Sequence, residues 1–185
     1  MALLILSPAL LAVAVLIVLD DPRGGPLYSQ IRIGERGKPF RMYKFRTMVH
    51  GAEEELPDLM DLNEMHGPAF KIRNDRRVTR IGRFLRQTGI DEIPQFFNVL
   101  RGEMSIVGPR PPLPEEVRQY NAYQRQRLLA RPGITCTWQA LPDRNGILFD
   151  DWVAMDLAYI RERSVRKDLS IMLRTLISMI TRQGE

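Results

Sequence analysis

Cysteine is almost missing from this chain: Cys136 stands alone among 185 residues, so no disulfide can close within it. That fits a reducing, cytosol-facing location. The two histidines, His50 and His66, have no metal-ligand spacing with each other or with the cysteine, which argues against a zinc site. Internal repeats and low-complexity tracts are lacking as well. Lysine is scarce, and arginine supplies almost all of the positive charge behind a net charge of +5. A basic surface of this kind suits anionic lipid, nucleic acid or phosphorylated substrates without choosing among them. The arginine bias fits forked recognition of oxyanions, and equally a biased genome. The length suffices for one domain with a modest core.

A hydrophobic run long enough to cross a bilayer is also lacking. Residues 3–19, LLILSPALLAVAVLIVL, carry no charge, but about seventeen helical residues extend only about 25 Å against a hydrocarbon core of about 30 Å. Ser7-Pro8 is expected to break the run, because proline removes a hydrogen bond and disfavours helix in the residue before it. The stretch from Pro8 to Leu19 then reaches only about 18 Å. A secretory signal would begin basic and end at a small-residue cleavage site. A buried core helix would not be apolar on every side in so small a domain. An in-and-out membrane segment kinked at Ser7 and Pro8 accounts for both the composition and the shortfall.

What is present centres on residues 84–112, FLRQTGIDEIPQFFNVLRGEMSIVGPRPP. Asp91 and Glu92 sit side by side at the expected start of a short helix, with Thr88 as its N-cap in the manner of a capping box. Pro94 falls in the first turn, Ile93, Phe96, Phe97 and Leu100 recur at helical spacing, and Gly102 stands where a left-handed cap belongs. Acidic residues in a first turn complement the helix dipole and need no other role. Here, however, Arg83, Arg86 and Arg101 bracket them, and Arg110 lies between prolines just beyond. A carboxylate that must approach a phosphate needs such company, because two like charges at about 4 Å repel by about 4 kcal/mol at an effective dielectric near 20. By itself the pattern supports an anionic-phosphate site with a carboxylate nucleophile as one option.

The remaining segments read as mainly α with a small β-hairpin, an α+β chain. Leu27 to Ile33 and Phe40 to Thr47 form the hairpin about the turn GERGK, with Lys44 and Arg46 on one face of the second strand. Residues 51–66 are acidic and Met-rich, a surface helix and loop. Thr79 is the expected N-cap of a helix whose apolar side is Ile81, Phe84 and Leu85. A helix is expected from about Glu115 to Ala130 and another over Asp151 to Arg163. In the last element Leu169, Met172, Leu173, Leu176 and Ile180 repeat at helical spacing among basic residues. Core packing and a basic amphipathic helix in a membrane interface fit that stripe equally.

Residues 69–112, with YKFRTM at 43–48, RPGIT at 131–135 and DLAYI at 156–160, resemble the bacterial monotopic phosphoglycosyl transferases across nearly the whole chain. The resemblance implies a re-entrant membrane segment over residues 1–20, with the kink at Ser7 and Pro8, and a membrane-associated catalytic domain over 21–185 facing the cytoplasm of the bacterial inner membrane. In that family a basic and apolar half-helix precedes the Ser-Pro pair. Only six residues do so here, so either the element is abbreviated or the chain continues upstream. The implied reaction moves sugar-1-phosphate from a UDP-sugar to polyprenyl phosphate with release of UMP, at the start of exopolysaccharide or glycoconjugate assembly. Asp91 would be the nucleophile and Glu92 the Mg2+ ligand. Arg86 and Arg110 would hold phosphoryl oxygens, Lys44 would belong to the same site, and Arg144 would reach the nucleotide. Arg144 follows Gln139 at one residue more than the family spacing, and Cys136-Thr137 replaces the usual Gly-apolar pair. The expected partners are the UDP-sugar, the polyprenyl phosphate and the inner leaflet, with a homodimer left open. A rival reading is a membrane-anchored basic module for anionic lipid or nucleic acid. It leaves the Asp-Glu placement unexplained and lacks aromatic stacking platforms, so nucleic acid is not expected.

Overall fold

The computed structural model of the protein describes residues 2–64, 72, 74–141 and 146–180. A single helix, α1 (Ala2–Asp20), takes up the N-terminal apolar run. It passes through Pro8 without interruption, so the expected break at Ser7-Pro8 is not there. One lost hydrogen bond in the second turn is tolerated when the residues beyond it are all strongly apolar and find nothing better to do with their backbone. At 1.5 Å per residue α1 is about 28 Å long. No helix among the described residues is long and apolar enough to cross a membrane. One side of α1 rests on the body, where Ile17 is buried against Phe45 and Leu85, while Leu11, Val15, Leu16 and Leu19 stay exposed.

Two carboxylates at the end of α1, Asp20 and Asp21, fasten it to the body. Asp21 accepts from the Arg46 guanidinium at 2.8 Å and from the His50 backbone N–H at 2.7 Å. Arg46 also donates to the carbonyls of Asp21, Gly24 and Gly25. Arg46 therefore leaves the face it was expected to share with Lys44 and becomes a clasp for the helix exit. The expected hairpin is present: β1 (Leu27–Ile33) pairs antiparallel with β2 (Pro39–Phe45), from Leu27 opposite Phe45 to Ile33 opposite Pro39. Phe40 and Met42 of β2 are buried with Met104, against Val99 and Ile134.

After residues 51–62, turns that end in a 3-10 helix over Pro57–Leu62, α2 (Arg80–Thr88) begins at the expected cap, with the Thr79 hydroxyl accepting from the Gly82 N–H. Asp20 accepts from the next orphan donor, Ile81 N–H, at 3.0 Å. Leu85 is buried and Phe84 points outward, because α2 has support on one side only. A short α3 (Gln95–Leu100) comes next, then β3 (Ser105–Val107). The helix expected over residues 115–130 is broken into α4 (Pro114–Arg118), α5 (Ala122–Arg125) and a 3-10 turn over Gln126–Leu129. Asn121 is the reason: its side chain and that of Gln124 form a capping box, which starts a new helix instead of prolonging the old one.

Beyond that turn lies β4 (Gly133–Thr135), which pairs parallel with β3, a contact between short segments that the sequence pattern did not signal. Two helices complete the described residues, α6 (Phe149–Glu162) and α7 (Val165–Ile180). The main core joins α6 to the segments before it: Tyr120, Cys136, Trp138, Phe149, Trp152, Val153 and Leu157 are buried together, with the two indoles stacked at 4.1 Å. On α7 Ile171 joins the core, whereas Leu169, Leu173 and Leu176 are each more than half exposed. Met172 of the stripe packs on the same cluster, so core packing explains that residue but not the three exposed leucines.

Within the core the Arg127 guanidinium pairs with Asp156 of α6, and both side chains are 1% exposed. Tyr120 accepts a further bond from Arg127 at 3.0 Å. Removing one member strands the other charge away from water. Asp156→Ala is expected to lower unfolding stability by about 3–5 kcal/mol, measured by denaturant unfolding in detergent; a loss below about 1 kcal/mol would contradict the buried pair.

Candidate active site

The central carboxylates owe their position to two glycines. Gly82 packs α2 against the backbone of Thr47, where an added Cβ would lie 2.0 Å from the Thr47 carbonyl oxygen. Gly89 ends α2 with φ of 67°, a left-handed turn that side chains resist. The chain then tightens into one 3-10 turn, Ile90–Glu92, which presents Asp91 and Glu92. Thr88 is thus not an N-cap: it closes α2, its hydroxyl donating to the Phe84 carbonyl at 2.9 Å. The helix begins later than expected, at Gln95, because the left-handed Gly89 breaks the register between Thr88 and Asp91. Gly102 does take the left-handed conformation beyond its end.

Lys44 reaches this turn from β2. Its ammonium group is 2.6 Å from Glu92 Oε1 and 4.0 Å from Asp91 Oδ2. Asn98 of α3 sets the strand that carries it: the side chain, fully buried, accepts from the Tyr43 N–H and donates to the Arg41 carbonyl at 2.7 Å. The sequence offers a signal for Asn98 that motif reading passes over. An asparagine inside the apolar helical run FFNVL is unfavourable unless its amide has buried partners.

Asp91 is 7% exposed. Burial is the largest influence on its acidity and raises its pKa from 3.8 to about 6; Lys44 pulls it back, Glu92 pushes it up and Arg86 lowers it again. Arg86 anchors its Nε on the Thr47 hydroxyl at 2.9 Å and keeps an outer edge in solvent. Arg110 pairs with the buried Glu116 at 3.2 Å, not with Asp91 or Glu92. A further guanidinium, missed in the sequence, belongs to Arg32 of β1. Burial, then Arg110, press its pKa down to about 10, while Glu116 and Glu92 act in the other direction. The structure thus draws Lys44, Asp91 and Glu92 together, with Arg86 close enough for its charge to act on Asp91, while the ion-pair partner of Arg110 is Glu116. Ser7 and Pro8 lie inside α1, more than two turns from its junction at Asp20. Arg144 lies outside the described residues.

Could this site hold Mg2+? No group of three or more acidic, cysteine or histidine side chains suited to a metal occurs among the described residues. Two adjacent carboxylates are nevertheless enough for a hard ion that takes most of its oxygens from phosphate and water. Glu92 Oε1 is engaged by Lys44, and no bond to Oε2 is formed among the described residues. The donor set fits.

A buried and a partly buried carboxylate side by side, faced by cations, define a site suited to anionic groups. Residues 1–182 match the family described as Bacterial sugar transferase, and the chain belongs to that family. It is 50% identical over 155 residues to the Galactosyl transferase CpsE of Streptococcus agalactiae, covering 83% of this chain and 34% of that protein. The Undecaprenyl-phosphate galactose phosphotransferase of Salmonella typhimurium is 38% identical over 190 residues, 100% of this chain and 39% of the relative. A UDP-glucose:undecaprenyl-phosphate glucose-1-phosphate transferase from Caulobacter vibrioides is 41% identical over 182 residues, 95% of this chain and 64% of its own length. The chain spans little more than a third of the first two of these relatives.

The acidity of Asp91 has a consequence for stability. Its folded-state pKa lies above the unfolded value, so its contribution is fully present below about pH 4 and is lost as pH rises through about 6. At pH 8 the ionised side chain is therefore destabilising, and Asp91→Asn is expected to raise stability there by on the order of 2 kcal/mol. The gain should vanish by about pH 4. Unfolding curves at both pH values check this, and an unchanged or lower midpoint at pH 8 contradicts the desolvated carboxylate.

Proposed function

We propose that this chain catalyses transfer of sugar-1-phosphate from a UDP-sugar to polyprenyl (undecaprenyl) phosphate, releasing UMP, at the membrane step that opens exopolysaccharide or glycoconjugate synthesis. One observation carries the reading. Asp91 is a carboxylate withdrawn from water, with Lys44 at 4.0 Å and Arg86 close enough to lower its pKa. Stripped of part of its hydration it is a stronger nucleophile, and the cations offset its repulsion from a phosphate. Asp21, Glu116 and Asp156 are buried too, but each is in an ion pair with a guanidinium, whereas the ion pair of Asp91 is the 4.0 Å approach of Lys44.

In the first half-reaction an Asp91 carboxylate oxygen attacks the phosphorus attached to the sugar. A bond forms between that oxygen and phosphorus, the bond from phosphorus to the bridging pyrophosphate oxygen breaks, and UMP leaves with that oxygen. In the second, a polyprenyl phosphate oxygen attacks the same phosphorus and frees the Asp91 carboxylate. Arg86 and Arg110 hold phosphoryl oxygens through charge-assisted bonds. Lys44 orients Glu92, the residue that would hold Mg2+. When bound there, the ion neutralises charge on phosphate oxygens. A lipid substrate requires the site to lie at the inner leaflet, with the exposed apolar side of α1 and the exposed leucines of α7 on the membrane interface.

Asp91→Asn is expected to reduce UMP release by about 10³-fold or more, measured with detergent-solubilised protein, Mg2+, a panel of UDP-sugars and polyprenyl phosphate. In the parent protein the acidic limb of the rate should fall near pH 6, because Asp91 must be ionised to attack. Full activity in the variant would remove Asp91 from the reaction.

A further inference from the structure

The segment Pro109-Arg110-Pro111-Pro112 has one backbone N–H among its four residues. It cannot fold on its own hydrogen bonds and is held instead by its carbonyls. Each of the four accepts from a different donor. Pro109 takes the Gly133 N–H at 3.0 Å and Pro112 the Ile33 N–H at 2.9 Å. Arg110 takes a long bond from Arg127 at 3.5 Å, and Pro111 takes Arg32 Nη1 at 3.1 Å.

Three of these donors have other reasons to be where they are. Gly133 and Ile33 are strand backbone, and Arg127 is committed to Asp156. Arg32 is different. Its second nitrogen donates to Gln30 Oε1 at 2.8 Å, and its Nε is buried without a hydrogen-bond partner. A guanidinium with an unsatisfied buried N–H, and with the like charge of Arg110 acting on it, weakens the fold. Stability alone does not account for it.

We infer that Arg32 is a positioning residue for Arg110: by holding the Pro111 carbonyl it fixes the turn from which Arg110 reaches the substrate's phosphate. This rests on the role that the proposed function gives to Arg110. Displacing such a turn by about 1 Å is enough to cost about 100-fold in rate. Arg32 itself need not touch the substrate.

A double-mutant cycle tests the inference. kcat and KM for the UDP-sugar are measured at saturating polyprenyl phosphate for the parent protein, Arg32→Met, Arg110→Met and the double variant, each with its thermal midpoint. Arg110→Met is expected to lower kcat/KM by about 100-fold and Arg32→Met by about 30-fold. The double variant should be no worse than Arg110→Met within about threefold, because Arg32 acts through a side chain no longer present. Arg32→Lys, which can still reach the Pro111 carbonyl, should recover most of the loss and serves if Arg32→Met does not fold. Losses that multiply in the double variant would mean Arg32 meets the substrate directly, and a harmless Arg32→Met would mean it does nothing; either overturns the inference while Arg110 keeps its role. A harmless Arg110→Met would instead overturn the reading of Arg110 itself.

Discussion

A carboxylate kept from water on one side and faced by cations on the other sets the terms for the rest of this molecule. Asp91 is held in a single 3-10 turn, and burial makes its ionised form expensive. Lys44 and Arg86 make its charge bearable, and the like charge of Glu92 works against them. Lys44 also ties down Glu92. The price is a weaker fold near neutral pH, which the buried pair Arg127–Asp156 and the core around the stacked tryptophans must offset.

The regular structure available for that task is slight. Among the described residues both sheets are two-stranded, and one is only three residues long on each side. Single polar side chains therefore take over work that longer elements do elsewhere. Asn98 fixes β2, Arg46 clasps the end of α1, and Arg32 and Arg127 hold the proline-rich turn. Each such side chain supports a few backbone groups at one point, so the site is assembled from braces that join distant segments. α1 is included in this assembly: Asp21 joins it to Arg46, whose neighbour Thr47 anchors Arg86 beside Asp91. The apolar helix and the turn that carries Asp91 are consequently linked through one chain of hydrogen bonds.

Local signals are readable in the sequence, and long-range ones are not. The Thr79 cap, the hairpin and the left-handed Gly102 arise from residue chemistry over a few positions, and each is found. The Asp91–Glu92 pair and Lys44 stand out by motif resemblance, and the structure does bring them together. Gly89 escapes notice as the turn that separates Thr88 from Asp91, because a capping box can be drawn through it on paper. The break at Asn121 is hidden because a weak apolar stripe masks a second capping box. Ser7-Pro8 misleads, since proline's local penalty is outweighed by a strongly apolar context. Parallel pairing of β3 with β4, and the contact of Arg32 with Pro111, join residues far apart in the chain. No periodicity announces such contacts.

The claim that Asp91 attacks phosphorus is tested most directly without the lipid. Protein is mixed with UDP-sugar alone, quenched rapidly, and assayed both for released UMP and for the mass of the peptide that contains Asp91. The account predicts a burst of about one UMP per active site and a sugar-phosphate mass on that peptide, lost when polyprenyl phosphate is added. Release of UMP only when both substrates are present, with the peptide unmodified, would contradict it.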